Sequence, residues 1–273
     1  MTTGFQEAGD KLRIFYRLSP VENAQGNILI VHGFAEHSQR YGHVVQHLNG
    51  SGFSVASIDL RGHGHSEGSR GYIERFSDYL EDVETGCKIV AEHLGDAPLY
   101  LLGHSMGGLI VATYAAQNPE GLAGIALSSP AMGFAVKIPA WKRILGEAMS
   151  KLLPHFSIPA DVDAGHLSHD IEVVSAYEKD PMVFGTARAR WYTEMVEAQQ
   201  LIMESCGHMA LPMLLQTGDD DRIVDSGVGR SFYEEYKGDD KTLHVYQGFF
   251  HEIFNEVERD RPLSDLQTWL QNR

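Results

Sequence analysis

Along the first half of the chain, short apolar runs alternate with longer stretches in which apolar residues recur every three or four positions. The runs at 27–31 (NILIV), 53–58 (FSVASI), 99–102 (LYLL) and 122–127 (LAGIAL) have the length and continuity of strands buried on both faces. An earlier strand is expected at 12–17. The stretches 41–49, 76–94 and 106–117 carry a helical period, traced in 76–94 by Tyr79, Leu80, Val83, Cys87, Ile89, Val90 and Leu94. Gly50, Ser51 and Gly52 separate the first of these helices from the strand that follows. Strands joined by helical crossovers predict a mostly parallel sheet covered on both faces.

From 131 to 209 the rhythm changes. Residues 141–153, 168–177 and 187–202 read as helices, and no buried strand is visible between them. The strand–helix alternation resumes with a strand at 211–216 (LPMLLQ), a helix near 229–236, a strand at 242–246 and a last helix at 256–271. The expected organisation is an α/β core made of 1–130 and 210–273, interrupted by a helical cap at 131–209.

Composition narrows the function. The 273 residues are 43% hydrophobic, enough for one large core. The formal charge of −15 gives a surface that repels phosphate backbones and anionic membranes, which argues against nucleic-acid binding. Two cysteines, Cys87 and Cys206, cannot build a disulfide framework or a C-x-x-C metal site. No basic-then-apolar leader opens the sequence, and no apolar run approaches the ~20 residues that span a bilayer. A soluble, cytoplasmic chain is expected.

The candidate chemistry centres on Gly103-His104-Ser105-Met106-Gly107, a G-x-S-x-G pentapeptide. Three fixed positions are weak evidence alone. Here an apolar strand runs directly into them and a helix runs directly out, the context in which such a serine stands on a tight turn above a sheet edge. The amide of Met106 then opens a helix and is placed to donate to a developing oxyanion. A second donor is expected from the loop after an earlier strand, at Phe34 of His32-Gly33-Phe34, with His32 shaping that loop. A serine hydroxyl needs a base, and the base needs an orienting carboxylate. His251 follows the strand ending at Tyr246 and is the expected base, whereas His244 lies within the strand. The acid should follow the strand at 211–216, where Asp219, Asp220 and Asp221 are consecutive and chemistry alone leaves the register open.

Several longer motifs in order carry a family resemblance. His32-Gly33-Phe34-Ala35-Glu36-His37-Ser38-Gln39-Arg40-Tyr41 resembles the H-G-x-x-E-H-x-x-R-Y signature of monoacylglycerol lipases and related lysophospholipases. Asp59-Leu60-Arg61-Gly62-His63-Gly64-His65-Ser66 is similar to their D-x-R-G-H-G-x-S loop, and Gly103-His104-Ser105-Met106-Gly107-Gly108 to their G-H-S-M-G-G elbow. Tyr177-Glu178-Lys179-Asp180-Pro181 resembles the Y-x-x-D-P of their cap. The resemblance implies an α/β-hydrolase fold with a helical cap. It fits the G-x-x-D-R pattern to Gly218 through Arg222, making Asp221 the triad acid. It also implies Glu36, Arg40 and Tyr177 as residues of the alcohol pocket. One departure stands out: mammalian members have a second histidine three residues after the base, where this chain has Phe254, which is expected to remove a polar contact at the alcohol side.

Other chemistries find less support. The H-x-H of His63 and His65 lacks further zinc ligands, the aspartates with Asp225 lack calcium-loop spacing, and no phosphate-binding glycine loop follows a strand. No metal and no cofactor are expected. The expected function is a serine carboxylic-ester hydrolase acting on monoacylglycerols or similar small acyl esters. The alternatives are a lysophospholipase or general carboxylesterase with the same triad, and a non-catalytic binding protein on the same scaffold. The apolar cap face of Ile138, Trp141, Ile144, Leu145, Met149, Leu152 and Leu153 is expected to pack on the core, line an acyl tunnel or touch a membrane or micelle.

Overall fold

The structure, a computed structural model, describes residues 1–135, 140–160 and 162–273. Its centre is an eight-stranded sheet: β1 (Thr2–Glu7), β2 (Arg13–Ser19), β3 (Gly26–Val31), β4 (Phe53–Ile58), β5 (Leu99–His104), β6 (Leu122–Ser128), β9 (Met213–Gly218) and β10 (Lys241–Tyr246). Two short strands, β7 (Ser157–Pro159) and β8 (Thr186–Arg188), pair separately. The order across the large sheet is β1-β2-β4-β3-β5-β6-β9-β10. Strands β1, β2 and β4 pair antiparallel, and every pairing from β4 to β10 is parallel. This is the α/β-hydrolase fold.

The apolar runs work because a strand turns alternate residues to opposite faces. In β3, Leu29 and Val31 join one core while Ile28 and Ile30 join the other. The same alternation divides Leu101 from Tyr100 and Leu102 in β5, and Met213 and Leu215 from Leu214 in β9. Helices α2 (Ser77–Leu94) and α3 (Met106–Gln117) cover the first face. Helices α1 (Gly42–Gly50) and α8 (Asp260–Gln271) cover the second, where Trp269 and Leu48 pack. Burying both faces is what a parallel sheet requires.

Strand β1 departs from expectation. Its residues TTGFQE show no apolar run, because β1 is an edge strand with partner β2 on one side. Phe5 packs edge-on against Phe15 at 5.3 Å, and the rest is largely exposed.

Between β6 and β9 lie α4 (Ala140–Leu152), β7, α5 (Ile171–Lys179), β8 and α6 (Ala189–Ser205), and helix α7 (Ser226–Glu235) follows β9. This insertion is not wholly helical, since β7 and β8 form a small antiparallel pair. That pairing delays α6 to Ala189. Helix α5 starts later than its pattern suggests because the Asp170 carboxylate caps it, accepting from Glu172 N at 2.9 Å. Asp225 does the same for α7, accepting from Gly227 N at 2.9 Å. Helix α8 begins at Asp260 rather than at 256, since Glu256 is held by the preceding loop. Of the expected apolar cap face, Leu152 and Leu153 are exposed, while Ile138 and the side chains of Trp141, Ile144 and Leu145 lie outside the described residues. No helix among the described residues is long and apolar enough to cross a membrane.

Parallel strands place all their carboxyl ends on one edge of the sheet, where ligand sites of such folds form. The loops after β3, β5, β6, β9 and β10 therefore converge, whatever their distance in sequence.

Candidate active site

Ser105 stands between β5 and α3 with φ 52° and ψ −118°, a conformation rarely adopted by a side-chain-bearing residue. The turn is pinned on both sides: Ser105 N–H donates to Ser128 C=O at 2.9 Å, and Ala131 N–H donates to Ser105 C=O at 2.9 Å. The flanking glycines are steric requirements. A Cβ at Gly103 would come within 2.3 Å of Gly107 C=O, and one at Gly107 within 2.1 Å of Val31 C=O. Only bare backbone lets strand, turn and helix approach this closely.

His251 sits in the loop after β10, fully enclosed. Its Nδ1 lies 2.7 Å from Asp221 Oδ2, so this nitrogen carries the proton and Nε2 is left as an acceptor. The other oxygen of Asp221 accepts from Ile223 N at 2.9 Å and Val224 N at 3.0 Å, which fixes the carboxylate. The neighbouring aspartates do other things. Asp219 accepts from Gly248 N at 2.5 Å, and Asp220 pairs with Arg222 at 2.9 Å on the surface. Burial acts to lower the pKa of His251, but the Asp221 charge and hydrogen bond override it and hold it above its ordinary value. Burial would raise Asp221; the His251 contact overrides that too and holds it low.

His32 shapes the loop after β3. Its Nδ1 donates to Gly33 C=O at 2.6 Å and its Nε2 accepts from Leu60 N at 2.9 Å, so the ring is neutral, consistent with burial lowering its pKa. Gly33 N–H donates to Glu36 Oε1 at 2.7 Å. Both polar groups of Gly33 are thus engaged, and the next residue is Phe34. Its ring packs on Trp191 of α6 at 4.1 Å.

Glu36, Arg40 and Tyr177 all border the same cavity as Ser105, of about 330 Å³, but they meet each other there. Arg40 Nη1 donates to Glu36 Oε2 at 2.6 Å, and the guanidinium lies over the Tyr177 ring at 4.8 Å. Burial would raise Glu36, but Arg40 holds it down at about 2. Burial, with Glu36 and Glu252 nearby, pushes the Tyr177 hydroxyl up to about 12.

Two site residues carry no motif of their own. Glu252 follows His251 directly and takes both terminal nitrogens of Arg40, at 2.6 and 2.7 Å. Glu256 is buried and accepts from Phe250 N at 2.9 Å and His169 Nδ1 at 2.8 Å, joining the His251 loop to the insertion. Adjacency to the expected base was the one available signal for Glu252.

Phe254 is not among the residues that line the cavity: its ring belongs to the second core with Tyr41 and Ile253, and its C=O accepts from His43 Nε2 at 2.7 Å. His63 is buried against His32, Phe34 and Phe184, and burial pushes its pKa down to about 3. No cluster of three metal-ligating side chains occurs among the described residues.

Apolar side chains also line the cavity, among them Phe134, Ile158, Val162, Trp191, Met195 and Val224. Insertion and core meet at several further points. Asp180 of the Y-x-x-D-P segment takes His37 Nε2 at 2.9 Å, and Phe76 N–H donates to Glu194 Oε2 at 2.9 Å.

The family model described as "Serine aminopeptidase, S33" matches residues 22–258. A monoacylglycerol lipase of Mycolicibacterium smegmatis is 35% identical over 95% of this chain and 93% of its own length. The phospholipase YtpA of Bacillus subtilis is 28% identical over 85% of this chain and 90% of its own. Among solved structures, the Paleococcus ferrophilus monoacylglycerol lipase superimposes with a TM-score of 0.86 at 29% identity, covering 94% of this chain and 98% of that one. The chain belongs to the serine aminopeptidase S33 family of α/β-hydrolases and is, within it, monoacylglycerol-lipase-like.

Proposed function

We propose that this chain hydrolyses monoacylglycerols, releasing fatty acid and glycerol through an acyl-enzyme on Ser105. The observation that carries the reading is one cavity lined by Ser105, by His251 in its pair with Asp221, and by many apolar side chains. His251 takes the Ser105 proton as the hydroxyl attacks the ester carbonyl, and Asp221 orients the imidazole and stabilises its cation. The amides of Phe34 and Met106 hold the oxyanion, each contributing about 3 kcal/mol. The alcohol leaves with the proton from His251, and water activated by the same ring releases the acid.

The apolar lining suits an acyl chain, and the similarity to two monoacylglycerol lipases supports this substrate class. An aminopeptidase would need a free carboxylate for the substrate's α-ammonium group. Glu36 and Glu252 are both paired with Arg40, which speaks against their use in that role. A lysophospholipase reading keeps support from the phospholipase relative. Residues 131–209 serve as a cap on a core of 1–130 and 210–273. Exposed Leu152, Leu153 and Phe156 support contact of that cap with a micelle or membrane surface.

The test is a chain-length series of monoacylglycerols beside matched lysophosphatidylcholines and an aminoacyl p-nitroanilide. Higher kcat/KM on the monoacylglycerols is expected, with Ser105→Ala inactive and unlabelled by a fluorophosphonate. Preference for the phospholipids would move the reading to the second class, and turnover by Ser105→Ala would remove it.

A further inference from the structure

Arg40 lies between two carboxylates that border the catalytic cavity, Glu36 and Glu252. Its Nη1 donates to Glu36 Oε2 and to Glu252 Oε1, each at 2.6 Å, and its Nη2 donates to Glu252 Oε2 at 2.7 Å. The three side chains are only 4%, 11% and 5% exposed for Glu36, Arg40 and Glu252. Buried ionic triads of this kind contribute little to stability, because desolvation offsets the attraction. The consequence of this one lies in what its two ends hold.

At one end, Glu36 Oε1 accepts Gly33 N–H and Tyr41 O–H, both at 2.7 Å, which fixes the peptide leading into Phe34. At the other, Glu252 follows His251 in the chain, and its own N–H is held by Leu167 C=O at 2.8 Å. Asn255 Nδ2 donates to Glu252 Oε2 at 2.8 Å. The sheet alone does not set the spacing of these loops, since β3 and β10 are separated by β5, β6 and β9. The path Glu252–Arg40–Glu36–Gly33 spans that gap with short charge-assisted hydrogen bonds, the strongest kind available to side chains.

We propose that Glu252 is a positioning residue that, through Arg40 and Glu36, locks the oxyanion loop at Gly33 to the loop carrying His251. Base and oxyanion donors must be placed together to a fraction of an ångström. The net negative charge of the triad also adds to that of Asp221 in favouring the His251 cation formed during attack. The proposal rests on the roles given above to Ser105, Phe34 and His251.

Glu252→Gln keeps the side-chain size but removes the charge and one arm of the fork. Its kcat is expected to fall roughly 10- to 100-fold, with KM within about threefold. The acid limb of its kcat/KM profile should move to lower pH, a change that loss of stability alone would not produce. Glu252→Asp keeps the charge but loses reach, so its kcat should fall with the limb in place. Arg40→Ala should regain activity when methylguanidinium refills the gap between the carboxylates. Wild-type kcat and an unshifted limb in Glu252→Gln would overturn the proposal. If that variant does not fold, absence of rescue in folded Arg40→Ala overturns it instead. Residual turnover in Ser105→Ala would strike the triad reading, whereas an inactive Ser105→Ala beside an unaffected Glu252→Gln would strike this proposal alone.

Discussion

His251 Nδ1 lies 2.7 Å from Asp221 Oδ2, and the two side chains are almost entirely buried, at 4% and 0% exposure. They are 30 positions apart in the chain, with the whole of α7 and β10 between them. The pairing exists because β9 and β10 run parallel and end at the same edge, Thr217 and Gly218 level with Val245 and Tyr246. Asp221 is the aspartate of its run that reaches the ring.

Replacing that carboxylate isolates its role. Asp221→Asn should reduce kcat by about 10⁴-fold, because the amide supports the wrong tautomer of His251. Asp220→Asn, which loses a surface pair, should change kcat less than about twofold. Asp219→Asn, which weakens one bond to Gly248 N, should cost less than about tenfold. Steady-state hydrolysis of a p-nitrophenyl ester by the three variants decides the register.

The pH profile follows from the direction of the His251 shift. As the proposed base, His251 must be neutral, and its pKa is held above the ordinary 6.5. Activity should therefore fall as pH drops through a value higher than that of a free histidine, and Asp221→Asn should bring the limb down. The stability contribution runs the other way. A group whose folded pKa is raised stabilises the fold fully below pH 6.5 and loses that contribution as pH rises through the folded value. Denaturant melts and kcat/KM measured across the same pH range should slope in opposite directions.

The backbone at Ser105 makes a stability prediction that is independent of substrate. At φ 52° and ψ −118° a Cβ is strained, and glycine is not. Ser105→Gly should be about 1 kcal/mol more stable than Ser105→Ala, although both are inactive. Chemical denaturation of the two variants measures the difference. Equal stability would mean that the turn relaxes in the alanine variant.

Met195 lies on α6 and lines the cavity, almost wholly buried. Met195→Trp should fill part of that space. Long-chain monoacylglycerols are expected to lose about tenfold or more in kcat/KM, while a butyryl ester stays within about threefold. Equal losses on both esters would place the acyl chain elsewhere.

Much of the molecule was legible in the chain because its signals are local. The buried strands β3 to β6 and β9 read directly as apolar runs, and α3 follows from the same pattern. Their carboxyl-end loops therefore had to meet, and the motif around Ser105 needed only its flanking strand and helix to be credible. Edge strand β1 was not legible, because a strand with one partner and one solvated face needs no apolar run. The pair β7–β8 and the late starts of α5 and α6 depend on strand pairing between distant segments and on a capping carboxylate, and neither alters hydrophobic period.

The chain by itself determined the fold, the serine on its turn, and a histidine after the last strand. It left three aspartates equivalent on chemistry, because one position of register along a loop changes no pattern. Tertiary structure gave the three separate partners: Gly248 for Asp219, Arg222 for Asp220 and His251 for Asp221. It also packed Phe254 into the core and put Glu252 in the cavity. A side chain's direction from a loop is set by what packs around that loop, and those neighbours come from five strands distant in sequence.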